Sequence, residues 1–218
     1  MKTSQTHLLT SILSLIGLTV AITPAMTAMT MTYDSSIPTL SQTVNLKFDG
    51  NVGAIYAGQI GVRFDSNLTA LLFCADPFVM LRTDAVEVTP LNTNQFTSGA
   101  RLAWMFNTYV PSFTQNWQAA AFQIATWDIV ADNGNGFAAG RVRSASTTDS
   151  QVLTFAASMV AASAGKSGTG ATFYQPTAGP RYSQTLFNAS LDSSVPEPST
   201  YLLIGAGLLA LSQIRRRP

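Results

Sequence analysis

The chain has 218 residues, a formal net charge of +1, 46% hydrophobic and only 11% charged side chains. It holds one histidine, His7, and one cysteine, Cys74, so an intrachain disulfide is impossible. Loss of His7 with an N-terminal signal would also remove any Cys–His or Ser–His–Asp catalysis and any histidine-ligated metal.

Lys2 and a neutral stretch precede the apolar run Leu8 to Ile22, and small residues follow in TPAMTA. That order is a secretory signal peptide over residues 1–28, cut between Ala25 and Ala28. At the other end, a proline-rich break leads into an apolar helix from about Tyr201 to Ile214 and then Arg215, Arg216 and Arg217. Residues 29–194 remain as one domain, large enough for a core. They carry eight Lys and Arg and ten Asp and Glu, a balance that gives no reason to expect nucleic acid.

Within that domain the spacing predicts strands first. TVNLKF (Thr43 to Phe48) reads as one strand. Asn51 to Asn67 reads as a single extended strand with Tyr56, Gly58, Ile60, Val62 and Phe64 on one face. LTALLFC (Leu68 to Cys74) follows it. Turns at Asp49–Asn51 and Asp65–Asn67 would join these strands as an antiparallel meander. Three helices come next. The first spans Ser98 to Val110 and stops before Pro111. The second is an amphipathic helix from Asn116 to about Ala131, with a capping box from Ser112 to Gln115, and DNGNG ends it. The third opens at Asp149. ATFYQ (from Ala171) and YSQTLFNAS (from Tyr182) return to strand. The expected class is α+β, an antiparallel sheet or barrel body with a three-helix insertion, plus the N-terminal signal helix and a C-terminal membrane helix.

Several chemical motifs dissolve on inspection. AGKSGTG lacks the leading glycine of a phosphate loop, because Val160 occupies that position. Asp128, Asp132 and Asn135 miss the spacing of a calcium loop, and a helix-ending turn accounts for the glycines around them. Asn67 and Asn188 stand in glycosylation sequons, which any three-residue pattern of this kind meets easily by chance. Trp104 and Trp117 are core residues on this reading. No cofactor and no metal are expected, and no close acidic pair suggests a turnover enzyme.

VPEPS followed by an apolar helix and RRR resembles the PEP-CTERM sorting signal of Gram-negative bacteria, here residues 195–218 with Pro196, Glu197 and Pro198 as the motif. The resemblance implies processing by an exosortase-type membrane protease, transient membrane residence through the C-terminal helix with Arg215–Arg217 as the stop, and delivery to the cell surface or extracellular matrix.

Two residues remain, Cys74 at a strand end and Gln123 on the second helix. A buried amide without partners costs about 1–3 kcal/mol, so Gln123 among apolar neighbours asks for a reason. Phe73-Cys74 together with Gln123-Ile124-Ala125-Thr126-Trp127 resembles the thioester domains of bacterial surface adhesins, in which an aromatic-Cys motif pairs with Gln-x-Ala-aliphatic-Trp. Thr126 departs from the aliphatic position, and Phe122 stands where threonine is common. The examples of that family come mainly from Gram-positive cell walls. The resemblance implies a Cys74–Gln123 thioester shielded by Phe73, Phe122 and Trp127, and covalent capture of an amine-bearing protein or polysaccharide outside the cell. The sequence leaves the activating donor open between a backbone N–H, Tyr56 and Tyr109, and gives Asp76 a turn role before Pro77. The alternative is a non-covalent structural or carbohydrate-binding protein of the exopolysaccharide matrix, with Cys74 a buried free thiol and Gln123 capping a strand edge.

Overall fold

The computed structural model describes residues 28–189. The expected signal peptide, the Pro196–Pro198 motif, the apolar C-terminal helix and Arg215–Arg217 lie outside the described residues. Among the described residues, no helix is long and apolar enough to cross a membrane.

Short runs of alternating polarity produce the strands β1 (Met29–Tyr33), β2 (Ser41–Phe48), β3 (Asn51–Gly58), β4 (Ile60–Phe64), β5 (Thr69–Cys74) and β6 (Val86–Asn92). The helices α1 (Gly99–Tyr109) and α2 (Asn116–Asp132) follow, then β7 (Val142–Ser144), α3 (Ser150–Ala162), β8 (Ala171–Pro176) and β9 (Leu186–Ala189). Six strands close an antiparallel barrel in the order β1-β4-β5-β9-β8-β6, and β3-β2-β7 form a second sheet. The fold is α+β. Closure leaves the barrel without a free edge to template pairing with another chain.

The connectivity explains how a second layer arises. The chain leaves the barrel twice, each time between strands that are neighbours in it. The hairpin β2–β3 is inserted between β1 and β4, and α1, α2, β7 and α3 are inserted between β6 and β8. The two excursions meet where β7 pairs with β2, with Leu46 opposite Ser144. Pro90 sits inside β6 without harm because β1 pairs only as far as Val88, so its missing N–H falls where that neighbour has already ended.

Three expectations are corrected. The single strand from Asn51 to Asn67 is two strands in different sheets, broken at Gly58. Its φ is +135°, and a Cβ there would lie 2.4 Å from the Leu40 carbonyl oxygen. Tyr56 consequently faces solvent while Val62 and Phe64 enter the barrel core. The capping box of α2 is formed by Gln115 and Gln118 instead of Ser112 and Gln115, because the chain makes a 3-10 turn at Val110–Ser112 before the helix starts. Finally, α2 is not amphipathic along its length. All residues from Ala119 to Ile129 are buried, since the helix runs between the barrel, α3 and the second sheet.

The other termini follow local chemistry. Asp149 caps α3 through its carboxylate, which accepts from the N–H of Gln151 and Val152. Asn133, at φ 58°, ends α2 ahead of Gly134. The junction between barrel and helices is a cluster of phenylalanines. Phe73 lies 4.5 Å from Phe122 between ring centroids, Phe106 stands edge-on to both, and Phe187 stacks on Phe173 at 5.1 Å. Trp104 and Trp117 are partly buried and pack against this core.

Candidate functional site

Cys74 is the last residue of β5. On one side it pairs with Leu186 of β9. On the other side, β4 pairs with β5 only up to Leu72, so the main-chain groups of Cys74 have no strand partner there. Gln123 fills that gap from α2, 49 residues away in the chain. Its Oε1 accepts from the Cys74 N–H at 2.9 Å, and its Nε2 donates to the Cys74 carbonyl at 2.7 Å. The side-chain amide thus imitates one residue of a neighbouring strand. This explains how an amide that is 1% exposed is tolerated among aromatic rings: both of its ends are satisfied.

The sulfur of Cys74 is held by the turn that follows. Sγ–H donates to the Asp76 carbonyl at 3.1 Å, and the Asp76 N–H donates to Sγ at 3.3 Å. The Asp76 carboxylate accepts from the N–H of Phe78, which is a turn role at the entry to Pro77. Burial pushes the Cys74 thiol up to about 12; the Trp127 side chain, near the sulfur, and the Asp76 main chain both oppose that rise, and the Asp76 carboxylate adds to it. Burial also raises Asp76 itself, against a weaker opposing influence of Arg141.

Trp127 lies one turn beyond Gln123 on the same face of α2. It is 3% exposed, and its Nε1–H completes no hydrogen bond. Its ring stands edge-on to Phe48 at 5.6 Å. Phe73 and Phe122, the chain neighbours of Cys74 and Gln123, are both fully buried, with ring centroids 4.5 Å apart. The structure therefore brings Cys74, Gln123, Phe73, Phe122 and Trp127 into one buried neighbourhood. Thr126, at the position where the adhesin pattern has an aliphatic residue, is also fully buried, with no partner for its hydroxyl.

Sequence reasoning missed the cleft beside this pair. It encloses about 780 Å³, and Trp127 forms part of its wall together with Tyr33, Tyr56, Phe78, Met80 and Gln59. Tyr56 and Met80 are 67% and 87% exposed, an unusual display of large apolar side chains around one concavity. The loop after Cys74 supplies Phe78 and Met80, and Arg141 rests 3.6 Å over the Phe78 ring. A signal did exist in Phe78-Val-Met-Leu, an apolar run in what reads as a loop. Of the proposed donors, Tyr56 accepts from the Ser41 hydroxyl at 2.7 Å and is turned to solvent, and Tyr109 packs on Trp104 and Phe155, whereas the Cys74 N–H contacts the amide oxygen directly. Among the described residues, no cluster of three or more His, Cys, Asp or Glu side chains could hold a metal ion.

Comparison with known proteins decides the tail. Residues 194–217 match the PEP-CTERM protein-sorting motif. The match indicates an exported protein, sorted by an exosortase and processed at its C-terminus for delivery to the cell surface. No curated protein and no solved structure matches the chain.

Proposed function

We propose that this exported PEP-CTERM protein is a covalent surface adhesin of a Gram-negative bacterium, with an internal thioester between Cys74 and Gln123. It is a single-use binder without turnover. The observation that supports the reading is that the Gln123 carboxamide, from an element 49 residues away, is buried against the main chain of the residue that carries the lone thiol, the amide oxygen lying 2.9 Å from the Cys74 N–H. A well-aligned approach of the Cys74 Sγ to the Gln123 Cδ would supply roughly 7–11 kcal/mol of barrier, which an amide electrophile requires.

The steps balance simply. Cys74 Sγ attacks the Gln123 Cδ and its proton passes to the amide nitrogen. The C–N bond breaks and ammonia leaves. The Cys74 N–H is placed to stabilise the oxyanion of the tetrahedral intermediate. Phe73, Phe122 and Trp127 keep water from the acyl sulfur. An amine on an extracellular protein or polysaccharide, entering by the cleft that Trp127 borders, then takes the acyl group and releases the thiol.

A second reading rests on an observation of its own. The Gln123 amide already makes both of its hydrogen bonds to the Cys74 main chain, so a strand-capping role alone accounts for its burial. The protein would then be a non-covalent matrix component using the same cleft. Intact mass of the purified protein separates the two. The thioester gives a mass one ammonia below that of the processed sequence, no labelling of Cys74 by a thiol reagent in denaturant, and both a thiol and an added amine after methylamine treatment. A full-mass protein that labels stoichiometrically in denaturant eliminates the covalent reading.

A further inference from the structure

Trp127 has a feature that shielding leaves unexplained. An indole buried only for its apolar surface still carries an N–H, which normally finds a partner inside a protein. Here Nε1 is buried without one, while the Cys74 thiol uses its own proton on the Asp76 carbonyl. We propose that the Trp127 Nε1–H is the donor that holds negative charge on the Cys74 sulfur, so that Trp127 acts on the reacting atom itself as well as covering it.

Three observations support this. Gln123 and Trp127 are one helical turn apart on α2, Gln123 bonds the Cys74 main chain, and the Trp127 side chain lies near enough to the sulfur to favour its charge. The surroundings of the sulfur otherwise discourage charge: burial is nearly complete, the Asp76 carbonyl points its oxygen at Sγ, and the Asp76 carboxylate lies close by. Against these stand only the Asp76 N–H at 3.3 Å and the indole. When the thiol ionises, its bond to the Asp76 carbonyl is lost, and the unpaired N–H is free to take the thiolate as acceptor. On the thioester reading, on which this catalytic role rests, the same donor serves twice. It favours the thiolate that attacks Gln123, and it stabilises the thiolate expelled when an amine opens the thioester.

The titration of the free thiol tests the donor apart from the thioester. Gln123→Ala chains, which cannot form one, are compared with Trp127 intact, as Trp127→Phe, and with Trp127 replaced by its benzothienyl isostere, which keeps the shape and lacks the N–H. With Cys74 replaced by selenocysteine in all three chains, so that ionisation falls where the domain is folded, selenolate absorbance against pH is expected to shift upward by about one pH unit or more in both replacements. The isostere guards against a fold defect, since it leaves packing unchanged. In the full chain, where intact mass shows a thioester, opening by methylamine is expected to slow about tenfold in the isostere variant. An unchanged titration in the isostere chain overturns the donor role whatever the mass of the wild type. A shifted titration with a full-mass wild type keeps the donor and refutes the thioester alone.

Discussion

At the scale of single residues, Asp128 is the buried group that ordinary packing explains least. It sits one position after Trp127 and is fully buried. One carboxylate oxygen accepts from the Gly136 N–H at 3.1 Å, and the other has no partner. Burial is the largest influence and Asp132 adds to it; with the Gly136 bond and Arg101 opposing, the carboxyl is raised to about 6. A folded value above the unfolded 3.8 means that the folded state holds the proton more tightly. Its contribution to stability is therefore complete below about pH 4 and is lost as pH rises through about 6. The loss is on the order of 2–3 kcal/mol. Chemical denaturation between pH 4 and 7.5 is expected to show this decline in the wild type and a flatter profile in Asp128→Asn. The same decline in the variant would place its origin elsewhere.

At the scale of elements, the break between β3 and β4 decides the architecture, because it sends one half of an alternating run to each sheet. Gly58→Ala must place a Cβ 2.4 Å from the Leu40 oxygen and 2.6 Å from the Ser41 Cα, backbone atoms that cannot rotate aside. The expected cost is roughly 2–4 kcal/mol, read as a lower urea midpoint. Gly53→Ala, in the same strand with open space around it, is expected to change stability by less than about 0.5 kcal/mol. This break also marks the limit of what the sequence makes legible. Alternation in Asn51–Asn67 announced extended chain correctly, yet nothing in a period of two tells which sheet a residue joins. The strand pair across Gly50 and the three helices were readable because turn residues and caps act locally. The strand β7 was not, since three residues carry no period and it exists only because β2 offers an edge. The barrel strand β6 keeps its alternation in Val86, Val88 and Pro90, but the proline argues against a strand until its neighbours are known. The same distinction holds at the site. Cys74 and Gln123 stood out as chemistry by resemblance, whereas the amide's pairing with the main chain depends on where β4 stops.

At the scale of the whole molecule, Cys74 occupies the point where every layer joins. It ends a barrel strand, pairs with β9 from the far end of the domain, accepts the side chain of α2, and leads into the loop whose Phe78 stands edge-on to Phe48 of the second sheet. Two routes could expose its sulfur. The loop from Asp76 could lift alone, releasing the two Asp76 contacts to Sγ, or the barrel and helices could separate. The first needs only local opening, as does any amine that reaches the acyl carbon in the folded protein; the second requires global unfolding. In Gln123→Ala, where the thiol is free, labelling by a thiol reagent is accordingly expected to be slow in water and to ignore urea at low concentration. A free energy of exposure that falls from the start with the equilibrium m-value, about 1–3 kcal/mol per molar urea for a domain of this kind, would mean that only the unfolded chain exposes the sulfur, and capture of an amine by the folded protein would then be excluded.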